Sequence, residues 1–197
     1  MKVTFYSNFL THHQLPFCLD MVSILGDDFK FVSSMPITEE RRKLGFKDLN
    51  SSYDFVVRAY EDKEQYTKAL ELGNESDVVI IGSTGDEFIK ERLKADKLTF
   101  RYRSRVFLEP PIKTLLNKNL RKTIYERHIK YKNNKNLYLL TSNGYGAKDF
   151  NKLGLYKDKV YRWGYFPETN YYNIDDLIDS KEKNEVLIFY GLLDLYL

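Results

Sequence analysis

The sequence predicts an α/β fold in which helices cover both faces of a parallel sheet. Short apolar segments alternate with amphipathic ones over brief connections, which favours right-handed crossovers between parallel strands. The clearest segment, Asp77-Val78-Val79-Ile80-Ile81-Gly82, is apolar without alternation, as a strand buried on both faces requires. With 197 residues, 43% of them apolar, 16 Tyr and 13 Phe, the chain has enough surface to bury for one core and too little length for two full domains. The expected architecture is a Rossmann-like, doubly wound sheet.

Taken in order, Val3 to Tyr6 reads as a short buried strand, and Leu15 to Leu25 as a helix ended by Gly26. Phe29 to Val32 is a second strand. Ile37 to Leu44, rich in Glu, Arg and Lys, fits either a short helix or an ordered loop. Phe55 to Arg58 gives a third strand, and Asp62 to Leu72 a helix closed by Gly73. After Asp77 to Gly82, Asp86 is placed to cap a helix carrying Phe88, Ile89 and Leu93. Leu98 to Tyr102 is the fifth strand. Beyond Pro110-Pro111, the residues Ile112, Leu116, Leu120, Ile124, His128 and Tyr131 recur at steps of about four, which predicts one long helix with a single apolar stripe. Asn136 to Leu140, a helix over Gly146 to Leu153, and Lys159 to Trp163 complete the block. A polar stretch follows, with Asp175, Asp176, Asp179, Lys181, Glu182 and Lys183, before one more apolar strand at Glu185 to Gly191.

Composition narrows the function classes. Cys18 is the sole cysteine and lies in an apolar helical run, so it reads as a buried, inert thiol in a reducing compartment. The start of the chain enters a strand with no charged leader, and no stretch approaches the ~20 apolar residues of a membrane span. A cytoplasmic protein is expected. The net charge is only +3, yet Lys113, Lys118, Arg121, Lys122, Arg127, Lys130, Lys132 and Lys135 face Glu126 alone. That local basic face fits either a solvated helix surface or contact with an anionic membrane, and the modest overall charge argues against nucleic acid.

In an open parallel sheet, ligands bind beyond the carboxyl ends of the strands. Three such loops are polar or glycine-rich: Ser7 to Gln14, Gly82 to Asp86, and Thr141 to Gly146. His12 and His13, two of the three histidines, precede a helix where an imidazole and backbone amides can hold a phosphate or a sugar hydroxyl. Alternatively one ring caps the helix and the other lies in solvent. Gly82-Ser83-Thr84-Gly85 has glycines that let backbone amides turn toward a phosphate, although it matches no nucleotide-binding fingerprint. His128 falls on the apolar stripe and reads as a core histidine. The spacing of His and Cys supports no metal, and no carboxylate pair or nucleophile elbow is evident.

Several of these segments, in this order, resemble the N-terminal half of GT-B glycosyltransferases of the family 4 kind, in particular bacterial enzymes of capsular and other surface polysaccharides. They are Thr11-His12-His13-Gln14, the strand Asp77 to Gly82, Thr99 to Arg105, Thr141 to Asp149, and Arg162-Trp163-Gly164-Tyr165-Phe166-Pro167-Glu168. The resemblance implies two Rossmann-like domains across a cleft, the first holding the sugar acceptor and the second a nucleotide sugar. It implies residues 1–168 as the acceptor domain, 169–184 as a linker and 185–197 as the first strand of a donor domain that is otherwise missing. Hexosyl transfer to a growing, lipid-linked polysaccharide is the implied activity, in a truncated or split form inactive alone. It places His12, His13, Asn143, Tyr145 and Tyr165 on the acceptor side, where Ser83 of the Gly82 loop joins them as a substrate-binding candidate; it names no catalytic residue, and no cofactor and no metal are expected. Two departures stand out. Relatives carry a Tyr-Ser-Glu-Arg-like run where this chain has Tyr102-Arg103-Ser104-Arg105, and after Gly191 they continue into Arg-Leu and a donor domain. The competing expectation is a stand-alone flavodoxin-like module that binds a phosphate ester or nucleotide through the loops at Gly82 and His12.

Overall fold

The computed structural model describes residues 1–107, 112–169, 171, 173–175 and 178. The expected strand at Glu185 to Gly191, most of the linker and Pro110-Pro111 lie outside the described residues. The strands are β1 (Val3–Ser7), β2 (Phe29–Ser33), β3 (Val56–Arg58), β4 (Val78–Ile81), β5 (Thr99–Tyr102), β6 (Leu137–Thr141) and β7 (Val160–Arg162). They form one sheet in the order β3-β2-β1-β4-β5-β6-β7, and every neighbouring pair is parallel. The fold is therefore the α/β, Rossmann-like doubly wound sheet. Winding reverses between β1 and β4, where Phe5 lies opposite both Phe31 and Ile80, and the crevice of such a sheet opens at that point.

The helices are α1 (Leu15–Leu25), α2 (Glu39–Lys43), α3 (Lys63–Glu75), α4 (Lys90–Lys94), α5 (Ile112–Leu116), α6 (Lys118–Arg127) and α7 (Gly146–Lys152). Several starts follow from side chains that accept a backbone N–H: Asp62 from Gln65 at 2.8 Å, Asn117 from Leu120 at 2.9 Å and Thr38 from Arg41 at 3.4 Å. Helix α1 has Pro16 in its first turn and ends at Gly26, whose positive φ of 56° frees the chain to turn away. One sheet face packs Tyr6, Val79, Ile81 and Leu139 against Ala69, Leu93, Ile124 and Phe150. The other packs Phe5, Phe31, Ile80 and Leu140 against Leu10 and Cys18. Cys18 is fully buried, and burial pushes its thiol pKa up, so it stays a protonated core atom. The chain divides at Pro167; the unit Met1–Pro167 contains the whole sheet, and in the second unit Tyr171, Ile174 and Ile178 are exposed.

Three expectations change. The long helix is two helices with a break at Asn117, whose extended backbone (ψ 103°) and capping side chain restart the helix at Lys118. Ile112 and Leu116 are consequently exposed, while Leu120 and Ile124 reach the core. Gly73 does not close α3, which continues to Glu75; a Cβ there would collide with the Phe88 carbonyl, so this glycine serves close approach. Asp86 makes no side-chain cap, because its carboxylate is occupied elsewhere.

The entries to β4 and β5 are held by Arg92 of α4, which is 1% exposed and has no carboxylate partner among the described residues. All of its N–H groups are satisfied: Nε donates to Thr99 Oγ1 at 3.1 Å, Nη1 to the carbonyls of Ser76 (2.5 Å) and Gly73 (3.3 Å), and Nη2 to those of Asp77 (2.8 Å) and Leu98 (2.6 Å). Removing the guanidinium orphans several buried acceptors at about 1–3 kcal/mol each. Arg92→Met is expected to lower unfolding free energy by at least ~3 kcal/mol in urea titrations. Arg92→Lys recovers only a fraction, since an ammonium cannot span these carbonyls.

Candidate functional site

The carboxyl ends of the strands converge on one rim, where two cavities lie side by side, each of about 300 Å³. The first is lined from the loop after β1 (Ser7, Asn8, Thr11, His13, Gln14), by Phe46, by Ser83 and Tyr102, and by Trp163 to Phe166 beyond β7. Its polar part is preset. Gln14 Oε1 accepts from the amide and hydroxyl of Thr11 at 3.1 and 3.0 Å, and Gln14 Nε2 donates to Ser7 Oγ at 3.3 Å. Its aromatic part is anchored by Trp163, which meets Phe17 and Phe166 at ring separations of 5.1 Å. The Phe166 amide donates to the His13 carbonyl at 3.0 Å, fastening the segment after β7 to the loop after β1.

His13 is half-buried, with its ring 5.0 Å from that of Tyr165 and 3.9 Å from that of His12. Burial, then the neighbouring His12, lower its pKa, so the ring is neutral at pH 7. Its Nδ1 is buried without a hydrogen-bond partner among the described residues. A neutral imidazole beside an aromatic face, with amide and hydroxyl groups opposite, can receive or give a hydrogen bond to a sugar hydroxyl. Neither His ring caps α1, whose N-cap Gln14 makes no side-chain cap bond. His12 is exposed and lies against Phe46 at 5.1 Å, outside the cavity lining.

The remaining candidates divide. Ser83 and Tyr165 line both cavities. Asn143 and Tyr145 line neither: the Asn143 side chain accepts from the Tyr145 amide at 2.8 Å and builds the turn, and the exposed Tyr145 ring lies 5.4 Å from the Arg105 guanidinium. In the loop Gly82 to Gly85 two of the backbone amides are already engaged. The Gly82 amide donates to Tyr6 and the Thr84 amide to Gly82, while a Cβ on Gly85 would meet the Glu87 carboxylate, whose charge repels an anion.

The second cavity holds residues that the sequence reading passed over. Arg101, Arg103 and Arg105 line it together with Arg127 and His128. Arg101 is 2% exposed and bound on both nitrogens by Asp86, at 2.7 and 2.6 Å. Arg127 shares the same carboxylate at 3.3 Å and donates to the Thr84 carbonyl at 2.8 Å. Arg105 pairs with the buried Asp149 at 2.9 Å. Arg103 donates to the Arg105 carbonyl at 3.2 Å and meets no carboxylate among the described residues. The signal was present in the spacing, because alternate residues at a strand end share a side of the sheet.

His128 is 3% exposed, and its Nδ1 lies 2.8 Å from the Tyr156 hydroxyl. Burial, then Arg101, Arg103 and Arg127, lower its pKa to about 2. Burial raises that of Tyr156 to about 12. The unfolded chain therefore binds a proton that the folded one refuses between about pH 2 and the ordinary histidine value of 6.5. Stability contributed by the neutral ring is present above pH 6.5 and falls with acidification by about 1.4 kcal/mol per pH unit. Urea unfolding at stepped pH is expected to show this slope, and His128→Gln to remove it.

Among the described residues no three His, Cys, Asp or Glu side chains converge to hold a metal, and no helix is long and apolar enough to cross a membrane. No family model matches the chain, and no curated protein matches it. Among solved structures it is similar to UDP-N-acetylglucosamine 2-epimerase from Rickettsia bellii, at 12% identity, over 91% of this chain and 47% of that one, with a TM-score of 0.40. The chain spans about half the length of that structure.

Proposed function

We propose that this chain is the sugar-acceptor half of a GT-B glycosyltransferase of the family 4 kind, acting in transfer of a hexosyl group from a nucleotide sugar to a polysaccharide acceptor. The observation that carries this reading is the first cavity, where His13, Gln14 and Asn8 face Tyr165, Trp163 and Phe46 at the carboxyl rim of the sheet. Aromatic faces with a few fixed polar groups are what a sugar ring asks of a pocket. Among the described residues no Asp or Glu lines that cavity. Transfer requires the donor sugar to be held against the acceptor in near-attack geometry, and in this reading a second Rossmann-like domain, on further polypeptide, supplies that wall.

Support for contact with a membrane comes from α5 and α6. Lys113, Lys118, Arg121 and Lys122 are exposed there beside exposed Ile112, Leu116 and Tyr125. Arg127 leaves this face for Asp86, and Lys122 lies 3.8 Å from Glu126. Cations near an anionic bilayer are worth about 1 kcal/mol each. Flotation with anionic vesicles is expected to carry the protein at low salt and release it at high salt; equal flotation with neutral vesicles overturns this part of the reading.

Calorimetric titration with oligosaccharide acceptors is expected to give saturable binding that Tyr165→Ala and His13→Ala each weaken by about tenfold, or ~1.4 kcal/mol. Nucleotide sugars added to the chain alone are expected to give no transfer. Absence of glycan binding, or robust turnover by the chain alone, overturns the proposal.

A further inference from the structure

The arginine-lined cavity is not explained by the sheet or by sugar stacking. Two guanidinium groups, those of Arg101 and Arg127, share one carboxylate, Asp86, and that of Arg103 lines the same cavity with no carboxylate partner among the described residues, so positive charge exceeds negative there even with the Arg105–Asp149 pair set aside. Gathering like charges in a partly desolvated cleft costs stability unless something answers them. The cost is visible in the side chains: burial, followed by Arg127 and Arg101, lowers the pKa of Arg103. Unpartnered nitrogens accompany the charge: among the described residues the Nε of Arg101 and the Nε2 of His128 are buried with no hydrogen-bond partner, while the Nε of Arg127 lies 3.3 Å from Asp86 without hydrogen-bond geometry.

The Tyr156 hydroxyl lies 2.8 Å from His128 Nδ1 and can donate to it. A neutral ring accepting at Nδ1 carries its proton at Nε2. The cavity wall thus combines guanidinium groups and an imidazole N–H, all donors, on side chains held in place by Asp86, Thr84 and Tyr156.

We propose that this cavity binds a phosphate or diphosphate group, with Arg103, which meets no carboxylate among the described residues, as its principal cation and Arg101, Arg127 and His128 as its fixed donors. A tetrahedral oxyanion with more than one negative charge matches both the charge excess and the fork geometry of guanidinium groups. Ser83, Tyr102 and Tyr165 line this cavity and the aromatic one alike, so a phosphate seated here is continuous with a sugar seated there. The same chemistry is offered by a soluble sugar phosphate and by a polyprenyl diphosphate in a membrane. The site stands on residues other than those of the sugar reading, and a sugar-free probe tests it separately.

The experiment titrates inorganic pyrophosphate into the 197-residue chain at low ionic strength, followed by calorimetry and by the arginine side-chain NMR resonances. Saturable binding with a shift of the Arg103 guanidinium signal is expected, weakened at least tenfold in Arg103→Gln and unchanged in Lys152→Gln, an exposed lysine outside the cavity. Competition of the pyrophosphate by a sugar 1-phosphate assigns a soluble source. Pyrophosphate-sensitive capture on phosphatidylcholine vesicles doped with a polyprenyl diphosphate assigns a lipid source. No saturation up to about 10 mM pyrophosphate, an unmoved Arg103 signal in the native protein, or equal loss of binding in Lys152→Gln overturns the proposal.

Discussion

Strand β5 is pinned at both ends by a buried guanidinium, and the rest of the molecule is arranged around those two fixtures. At its start, Arg92 collects carbonyls from the end of α3 and from the entries to β4 and β5. At its finish, Arg101 takes both oxygens of Asp86, in the loop after β4. Neighbouring strands leave backbone groups unmatched where they begin and end, and buried groups of that kind must find partners. The two arginines answer the need with opposite chemistry: one bonds neutral carbonyls, the other a carboxylate. Only the second leaves an ionic network at the carboxyl rim of the sheet.

Much of the fold was legible because strand and helix periods differ and the boundaries carry capping chemistry. Helix α1 has the bounds that its apolar run and Gly26 mark out. Strand β4 is the apolar core of Asp77 to Gly82. Where the reading failed, tertiary contacts decided. The four-residue stripe from Ile112 to Tyr131 satisfies a single helix on paper, yet Asn117 bonds the Leu120 amide and divides it. Gly73 resembled a stop signal, but the structure needs it where the Phe88 backbone comes close.

The site was half legible for a similar reason. Loop position after a parallel strand is readable, and it located His13, Ser83 and Tyr165 on the cavities. It could not tell that Asn143 spends its carboxamide on its own turn. Arg127 and His128 lie in α6 and at its end, far along the chain from β5, and nothing local ties them to Arg101. Their meeting depends on how α6 lies against the sheet. Asp86 shows the same limit: its position suits a helix cap, and the cation beside it outbids the backbone for its carboxylate.

The bond from the Phe166 amide to the His13 carbonyl joins the two ends of the first cavity's lining. Phe166 is also next to Pro167, where the sheet-bearing unit ends. The last backbone of this unit is therefore part of the wall of the first cavity. Any change of backbone at residues 164–166 passes to the His13 main chain through one hydrogen bond and no intervening helix.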